Sequence, residues 1–219
     1  MKDIIKGVIN FRDNLYPERK DLFGSLADGQ NPDVLFITCS DSRIDPNLLT
    51  GSQPGDLFIC RNAGNIIPPH SNETGGMTAS IEYAVAVLGV KNIIVCGHTD
   101  CGAITAALDI DGVKGLPHVK EWLGHCRSAM EIVRERNDIE SGVRLNVSHL
   151  NEAIEENVLQ QVQHMRTHPV VAAKLATGKV AIHGWVYNIE TGGIRCCHHN
   201  STLFASFEEH YADLLAEIS

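Results

Sequence analysis

Three short apolar runs limit what this chain can fold into. Val34-Leu35-Phe36-Ile37, Leu57-Phe58-Ile59-Cys60 and Ile93-Ile94-Val95-Cys96 all lack alternation of apolar and polar residues. A strand with one wet face alternates, whereas a strand buried on both faces reads as a continuous apolar run. Between the second and third runs, Met77, Ile81, Ala84, Val85 and Leu88 fall on one face of a helix, with Thr74 as a candidate cap and Gly89 as its stop. Strand, helix and strand in that order predict parallel strands joined by right-handed crossovers. The fold class is α/β: a central, mainly parallel β-sheet flanked by helices.

The rest of the chain fits that class. A stripe of Val147, Leu150, Ile154, Val158, Val162 and Met165 predicts a long helix. Residues 180–187 read as a late strand with an exposed edge, 110–118 as a loop and 207–218 as a terminal helix. Residues 1–28 read as an N-terminal helical arm, with Ile4, Ile5, Val8 and Ile9 on its apolar stripe and Pro17 as punctuation. No repeat or linker-like tract divides the 219 residues, so a single domain, 1–219, with the arm at 1–28, is expected.

Charge excludes some functions. Lys and Arg number 18 against 27 Asp and Glu, a formal net charge of −9. Binding to nucleic acid or to anionic lipid needs clustered cations, so neither is expected. No apolar stretch is long enough to span a bilayer, and the N-terminus lacks the apolar core of a signal peptide. A cytoplasmic location follows as the expectation. There the seven cysteines are reduced, which leaves burial or metal ligation as their use.

Two of the buried runs end in residues that bind metals. The first leads into Cys39-Ser40-Asp41-Ser42-Arg43, the third into Gly97-His98-Thr99-Asp100-Cys101-Gly102. In parallel α/β sheets, ligands bind at the carboxyl ends of strands, so both segments belong on one rim. Cys39, His98 and Cys101 offer two thiolates and one imidazole, a known zinc set that leaves a fourth position for water. Soft thiolates select zinc over magnesium or calcium, while iron remains compatible with the same ligand types. Two thiolates also neutralise the charge of Zn²⁺, which predicts activity rising toward mildly alkaline pH. Arg43 lies two residues beyond Asp41 and keeps its carboxylate ionised. Ionised Asp41 can accept a hydrogen bond from the reactive water, or it can occupy the fourth metal position itself. Taken singly, each residue has a plainer explanation, such as a buried strand-end thiol or a loop salt bridge. Together, after matching strands, they point to a metal centre. Cys196-Cys197-His198-His199 is read as a tail cluster rather than a second centre, since adjacent cysteines chelate one ion poorly.

These two segments resemble the zinc motifs of the β-class carbonic anhydrases. Arg61-Asn62-Ala63-Gly64-Asn65, Ser80-Ile81-Glu82-Tyr83-Ala84, Asn157-Val158 and His183-Gly184-Trp185-Val186-Tyr187 extend the resemblance over most of residues 1–195. The resemblance implies reversible hydration of carbon dioxide to bicarbonate and a proton, by attack of zinc-bound hydroxide, with one Zn²⁺ per subunit. Cys39, His98 and Cys101 are then the metal ligands, and Asp41 and Arg43 the catalytic pair. Gln30, nine residues before Cys39, is similar to the substrate-binding glutamine of the plant-like type, with Phe58, Tyr83 and Gly102 as further substrate contacts. Phe36 stands where the other type has a tryptophan, so the chain looks plant-like, similar to bacterial cyanate-operon and cyanobacterial members. Family members are homodimers at minimum, and tetramers and octamers occur. The alternatives are a carbonyl sulfide or carbon disulfide hydrolase on the same scaffold, and a non-catalytic zinc- or bicarbonate-binding assembly protein. Ala63, in a position where a larger aliphatic residue is common, is the one hint toward altered access.

Overall fold

A computed structural model describes residues 1–72, 74–197 and 203–218. His198 and His199 therefore lie outside the described residues, while Cys196 and Cys197 are buried in a strand. The chain divides into two units, Met1–Asn31 and Pro32–Ser219.

The first unit is helical. Helix α1 (Lys2–Asn10) continues through a π-helical turn, Phe11–Leu15, and a short helical segment holding Pro17 near its start, where its missing N–H costs nothing. Helix α2 (Lys20–Ala27) follows. Phe11, Tyr16 and Phe23 cluster with ring centroids 5.3–6.1 Å apart. Ile4, Ile5 and Val8 are exposed. Gln30 is exposed near the end of this unit.

The second unit holds a six-stranded sheet in the order β2-β1-β3-β4-β5-β6. Strands β1 (Val34–Cys39), β2 (Leu57–Asn62), β3 (Asn92–His98) and β4 (Ala181–Tyr187) pair parallel. The short β5 (Ile194–Cys197) and β6 (Phe204–Ser206) add antiparallel. Strand β4 is thus an interior strand, not the exposed edge its composition suggested, because β5 covers its free side.

Between the strands come α3 (Pro46–Thr50), α4 (Gly76–Glu82), α5 (Gly102–Ala107), α6 (Pro117–Leu123), α7 (Arg127–Arg136), α8 (Leu150–Arg166) and α9 (Pro169–Ala176). Helix α4 begins after Gly75 rather than at Thr74, and passes into a π-helical turn, Tyr83–Leu88, that Gly89 closes in a left-handed conformation. The predicted loop at 110–118 contains a 3₁₀ turn, Ile110–Gly112, and its end already belongs to α6. Two segments, Phe207–His210 and Ala212–Ile218, make up the predicted terminal helix.

Each sheet face has its own core. Leu35, Ile37, Ile93 and Val95 point to the side covered by α7 and α8, with Val133, Ile154 and Val158. Phe36, Ile94 and Cys96 point to the other side, against Trp185 and under Phe207 and Tyr211. This two-sided burial explains the missing alternation in β1 and β3, whereas β2, read as the same kind of run, lies at the sheet edge with no buried residue and with Ile59 exposed. Helix α8 lies so close to β3 that a Cβ at Gly97 would stand 2.8 Å from Val158 Cγ2, so only glycine fits just before His98.

Candidate metal centre

Parallel pairing brings the carboxyl ends of β1 and β3 side by side, and with them Cys39 and His98. After His98 the chain turns through Asp100, which adopts a left-handed conformation at φ 55°, and Cys101 opens α5 from the N-cap position. The two thiol sulfurs lie 3.9 Å apart. Cys39 Sγ, Cys101 Sγ and a ring nitrogen of His98 all lie within 4.8 Å of one another, the sole such group among the described residues. All three side chains are at most 5 % exposed.

The histidine tautomer is fixed by its surroundings. His98 Nδ1 lies 2.8 Å from the carbonyl of Thr99, an acceptor only, so Nδ1 carries the proton. Nε2 is then left with a bare lone pair, buried and without a hydrogen-bond partner. A buried polar atom of this kind is costly unless something occupies its lone pair. With two thiols opposite, the donor set fits a soft divalent metal such as zinc.

Charge reinforces the fit. The hydrogen bond from Cys101 holds the Cys39 thiol well below its ordinary range, helped by His98 and by the N–H groups of Gly64 and Asp41. The same bond, with burial, pushes Cys101 up. Burial works against protonating His98, but the Cys39 thiolate, the Thr99 carbonyl and Asp41 outweigh it, and its pKa rises.

Asp41 and Arg43 form a bidentate pair. Arg43 Nε donates to Asp41 Oδ1 at 2.9 Å and Nη2 to Oδ2 at 2.8 Å, while the Arg43 backbone N–H also donates to Oδ1. Arg43 Nη2 further donates to the carbonyl of Asp100, tying the loop after β1 to the loop after β3. These hydrogen bonds hold the Asp41 carboxyl well below the usual carboxylate range. Asp41 Oδ2 lies 3.9 Å from His98 Nε2. The carboxylate thus borders this group while accepting three hydrogen bonds from Arg43.

Gly102, exposed at the first turn of α5, adjoins the same group. Phe58 and Tyr83 do not. Phe58 pairs with Leu35 and Asn62 with Cys39, which puts Phe58 four positions back along the sheet, roughly 13 Å from that rim at the usual strand rise. Tyr83 packs beside Phe58, with ring centroids 6.1 Å apart, and is largely exposed.

One contributor was not singled out from the sequence. Arg61 on β2 donates to the carbonyls of Cys39 at 3.0 Å and Asp41 at 2.7 Å, fixing the backbone on both sides of Ser40. A charged residue near the end of an apolar run was the available signal.

A doubly covered, mostly parallel sheet with a thiolate–imidazole group on its carboxyl rim, beside a carboxylate locked by arginine, defines a class: metal-dependent enzymes that activate water. Residues 34–194 match the family model described as carbonic anhydrase. The chain is 46 % identical over 210 residues to a carbonic anhydrase of Pseudomonas aeruginosa, covering 96 % of this chain and 93 % of that protein. It is 44 % identical over 195 residues to a carbonic anhydrase of Synechococcus elongatus, covering 89 % and 70 %. The structure of the β-carbonic anhydrase CcaA superposes with a TM-score of 0.88 at 39 % identity, covering 94 % of this chain and 91 % of that one. The chain belongs to the carbonic anhydrase family, in its β class, and catalyses the reversible hydration of carbon dioxide.

Proposed function

We propose that Cys39, His98 and Cys101 hold one Zn²⁺ per chain and that Asp41, positioned by Arg43, prepares the attacking water. The observation that carries this reading is the bare, buried Nε2 of His98 facing two thiols. When bound there, zinc supplies the Lewis acidity that makes water nucleophilic near neutral pH. Asp41 accepts a hydrogen bond from that water and so turns a lone pair toward the carbon of carbon dioxide. Water and carbon dioxide combine into bicarbonate, and one proton leaves for solvent. Arg43 keeps Asp41 ionised and oriented, and Arg61 holds the backbone on either side of Ser40. Gly102 borders the space where substrate would lie, and Gln30 is assigned to substrate binding by its resemblance to the family's glutamine nine residues before the first cysteine. The named relatives favour carbon dioxide over carbonyl sulfide or carbon disulfide as substrate.

The test is metal analysis and stopped-flow carbon dioxide hydration on one preparation, from mildly acidic to mildly alkaline pH. One zinc per chain and hydration that rises toward alkaline pH are expected. Zinc-loaded protein inactive throughout would mean that Asp41 closes the fourth position or that the substrate differs.

Assembly belongs to the same reading. In their own chain Phe58 and Tyr83 lie far from the metal rim, so as substrate contacts they serve the site of a second subunit. A β-carbonic anhydrase of Sordaria macrospora, 29 % identical with a TM-score of 0.77, is described as tetrameric. Sedimentation of this chain should give a dimer or larger, and a monomer with full activity would remove Phe58 and Tyr83 from the site. Among the described residues, no helix is long and apolar enough to cross a membrane, and a cytoplasmic location is part of the proposal.

A further inference from the structure

Helix α8 buries two amides beside Glu156, on a helix whose other buried residues are apolar. Asn157 and Gln161 are at most 1 % exposed, among Ala153, Ile154, Val158, Val162 and Met165. Burying an amide costs free energy unless its groups are paired, so a face built only for packing would not carry them. Both are paired, and to one segment. Asn157 Nδ2 donates to the carbonyl of Gly64 at 3.1 Å, and Asn157 Oδ1 accepts from Gln161 Nε2 at 2.9 Å. Gln161 Oε1 accepts from the backbone N–H of Ile67 at 2.8 Å. The same segment is held by Trp122, which donates to the carbonyl of Ala63, and by Asn62, whose side chain bonds both backbone groups of Ile66.

That segment reaches the metal group at one atom. The backbone N–H of Gly64 donates to Cys39 Sγ at 3.4 Å. Gly64 has a φ of +85°, and a Cβ there would stand 3.2 Å from Ala103 Cβ, so the peptide is aimed by a conformation suited to glycine. A hydrogen bond to a thiolate draws charge from the sulfur and orients its lone pairs, and such outer contacts tune a bound metal.

We propose that Asn157 is a positioning residue for the metal centre: by gripping the carbonyl of Gly64 it aims the Gly64 N–H at Cys39 Sγ. The proposal rests on the reading of Cys39 as a metal ligand. It is distinct from a general packing role for α8, because it makes the electronic state of one sulfur depend on a side chain that touches neither metal nor substrate.

The experiment uses the full chain loaded with Co²⁺, whose bonds to thiolates give an ultraviolet charge-transfer band, together with zinc affinity by competition with a chelator. Asn157→Leu should shift the band to longer wavelength, because a thiolate that has lost a donor gives up its electron more easily. It should also weaken zinc binding about ten- to a hundred-fold. Val162→Ala, on the same helix and apolar, should lower the melting temperature and leave the band in place. Asn157→Ser is read in the same way should the leucine variant not fold. A wild-type protein without a thiolate band would overturn the ligand reading itself. A normal wild-type band that is unmoved in the Asn157 variants, with unchanged zinc affinity, would overturn the positioning role alone. An equal shift in Val162→Ala would overturn it in favour of helix packing.

Discussion

Alanine in place of Cys39, His98 or Cys101 is expected to remove the bound metal and carbon dioxide hydration together. The three donors converge from the last residues of β1 and β3 and from the N-cap of α5, and no fourth cysteine or histidine is close enough among the described residues to substitute. Removing one leaves two ligands in a buried pocket, below the three that a catalytic zinc site needs. The His98 change goes further, since it also frees the Thr99 carbonyl that its Nδ1 proton satisfies. Atomic emission should find much less than one zinc per chain in each variant, and stopped-flow hydration should fall to the uncatalysed background. Circular dichroism separates loss of ligand from loss of fold. A folded variant that kept one zinc per chain would strike that residue from the ligand set. Acid should produce the same loss reversibly in the wild type, because thiolates and imidazole bind metal only when deprotonated.

Legibility in the sequence followed from how local each signal was. Strands β1 and β3 could be read from 34–37 and 93–96 because burial on both faces leaves an uninterrupted apolar run, whereas the same look at 57–60 belongs to an edge strand with no buried residue. The convergence of Cys39, His98 and Cys101 could be read because strand order puts both run-ends on one rim. The cap of α4 was misplaced at Thr74 because a threonine before a helix is a strong local signal, whereas Gly75 takes the extended N-cap conformation without any side-chain bond. Helix α6 was hidden because it starts behind Leu116, which caps nothing, and runs for only seven residues. Strands β5 and β6 are four and three residues long, too short to show a period, and so β4 looked like an edge. The part played by Arg61 depends on register: only the pairing of Thr38 with Arg61 brings its guanidinium to the carbonyls of Cys39 and Asp41. Asn157 is a similar case, since its partner Gly64 is remote in sequence and no local pattern joins them.

Asp41→Asn should keep the metal and lose most of the turnover. None of the three metal donors is touched, so zinc content stays at the wild-type level. The carboxylate accepts three hydrogen bonds from Arg43, two at Oδ1 and one at Oδ2. An amide retains one acceptor oxygen and turns the other into a donor. Either that NH₂ faces Arg43, donor against donor, or it faces the reactive water and reverses the hydrogen bond that orients it. In both cases the nucleophile loses its alignment, and a fall in kcat/KM of about 10²-fold or more is the expected scale for losing a positioned proton-handling group. Arg43 holds the Asp41 pKa down, so the stabilisation from the ion pair is present above the ordinary carboxylate pKa of about 4 and is lost only as pH falls through the lower folded value. Asp41 is therefore ionised at every pH where hydration is measured. It follows that Asp41→Asn should depress the rate by a similar factor across the neutral to alkaline range, without moving the profile along the pH axis. Arg43→Lys keeps the charge but not the fork, and should fall between the wild type and Asp41→Asn. Unchanged kcat/KM in Asp41→Asn at full zinc occupancy would remove Asp41 from the reaction, and a rate that recovered toward alkaline pH would show that its carboxylate tunes the metal site rather than orienting the water.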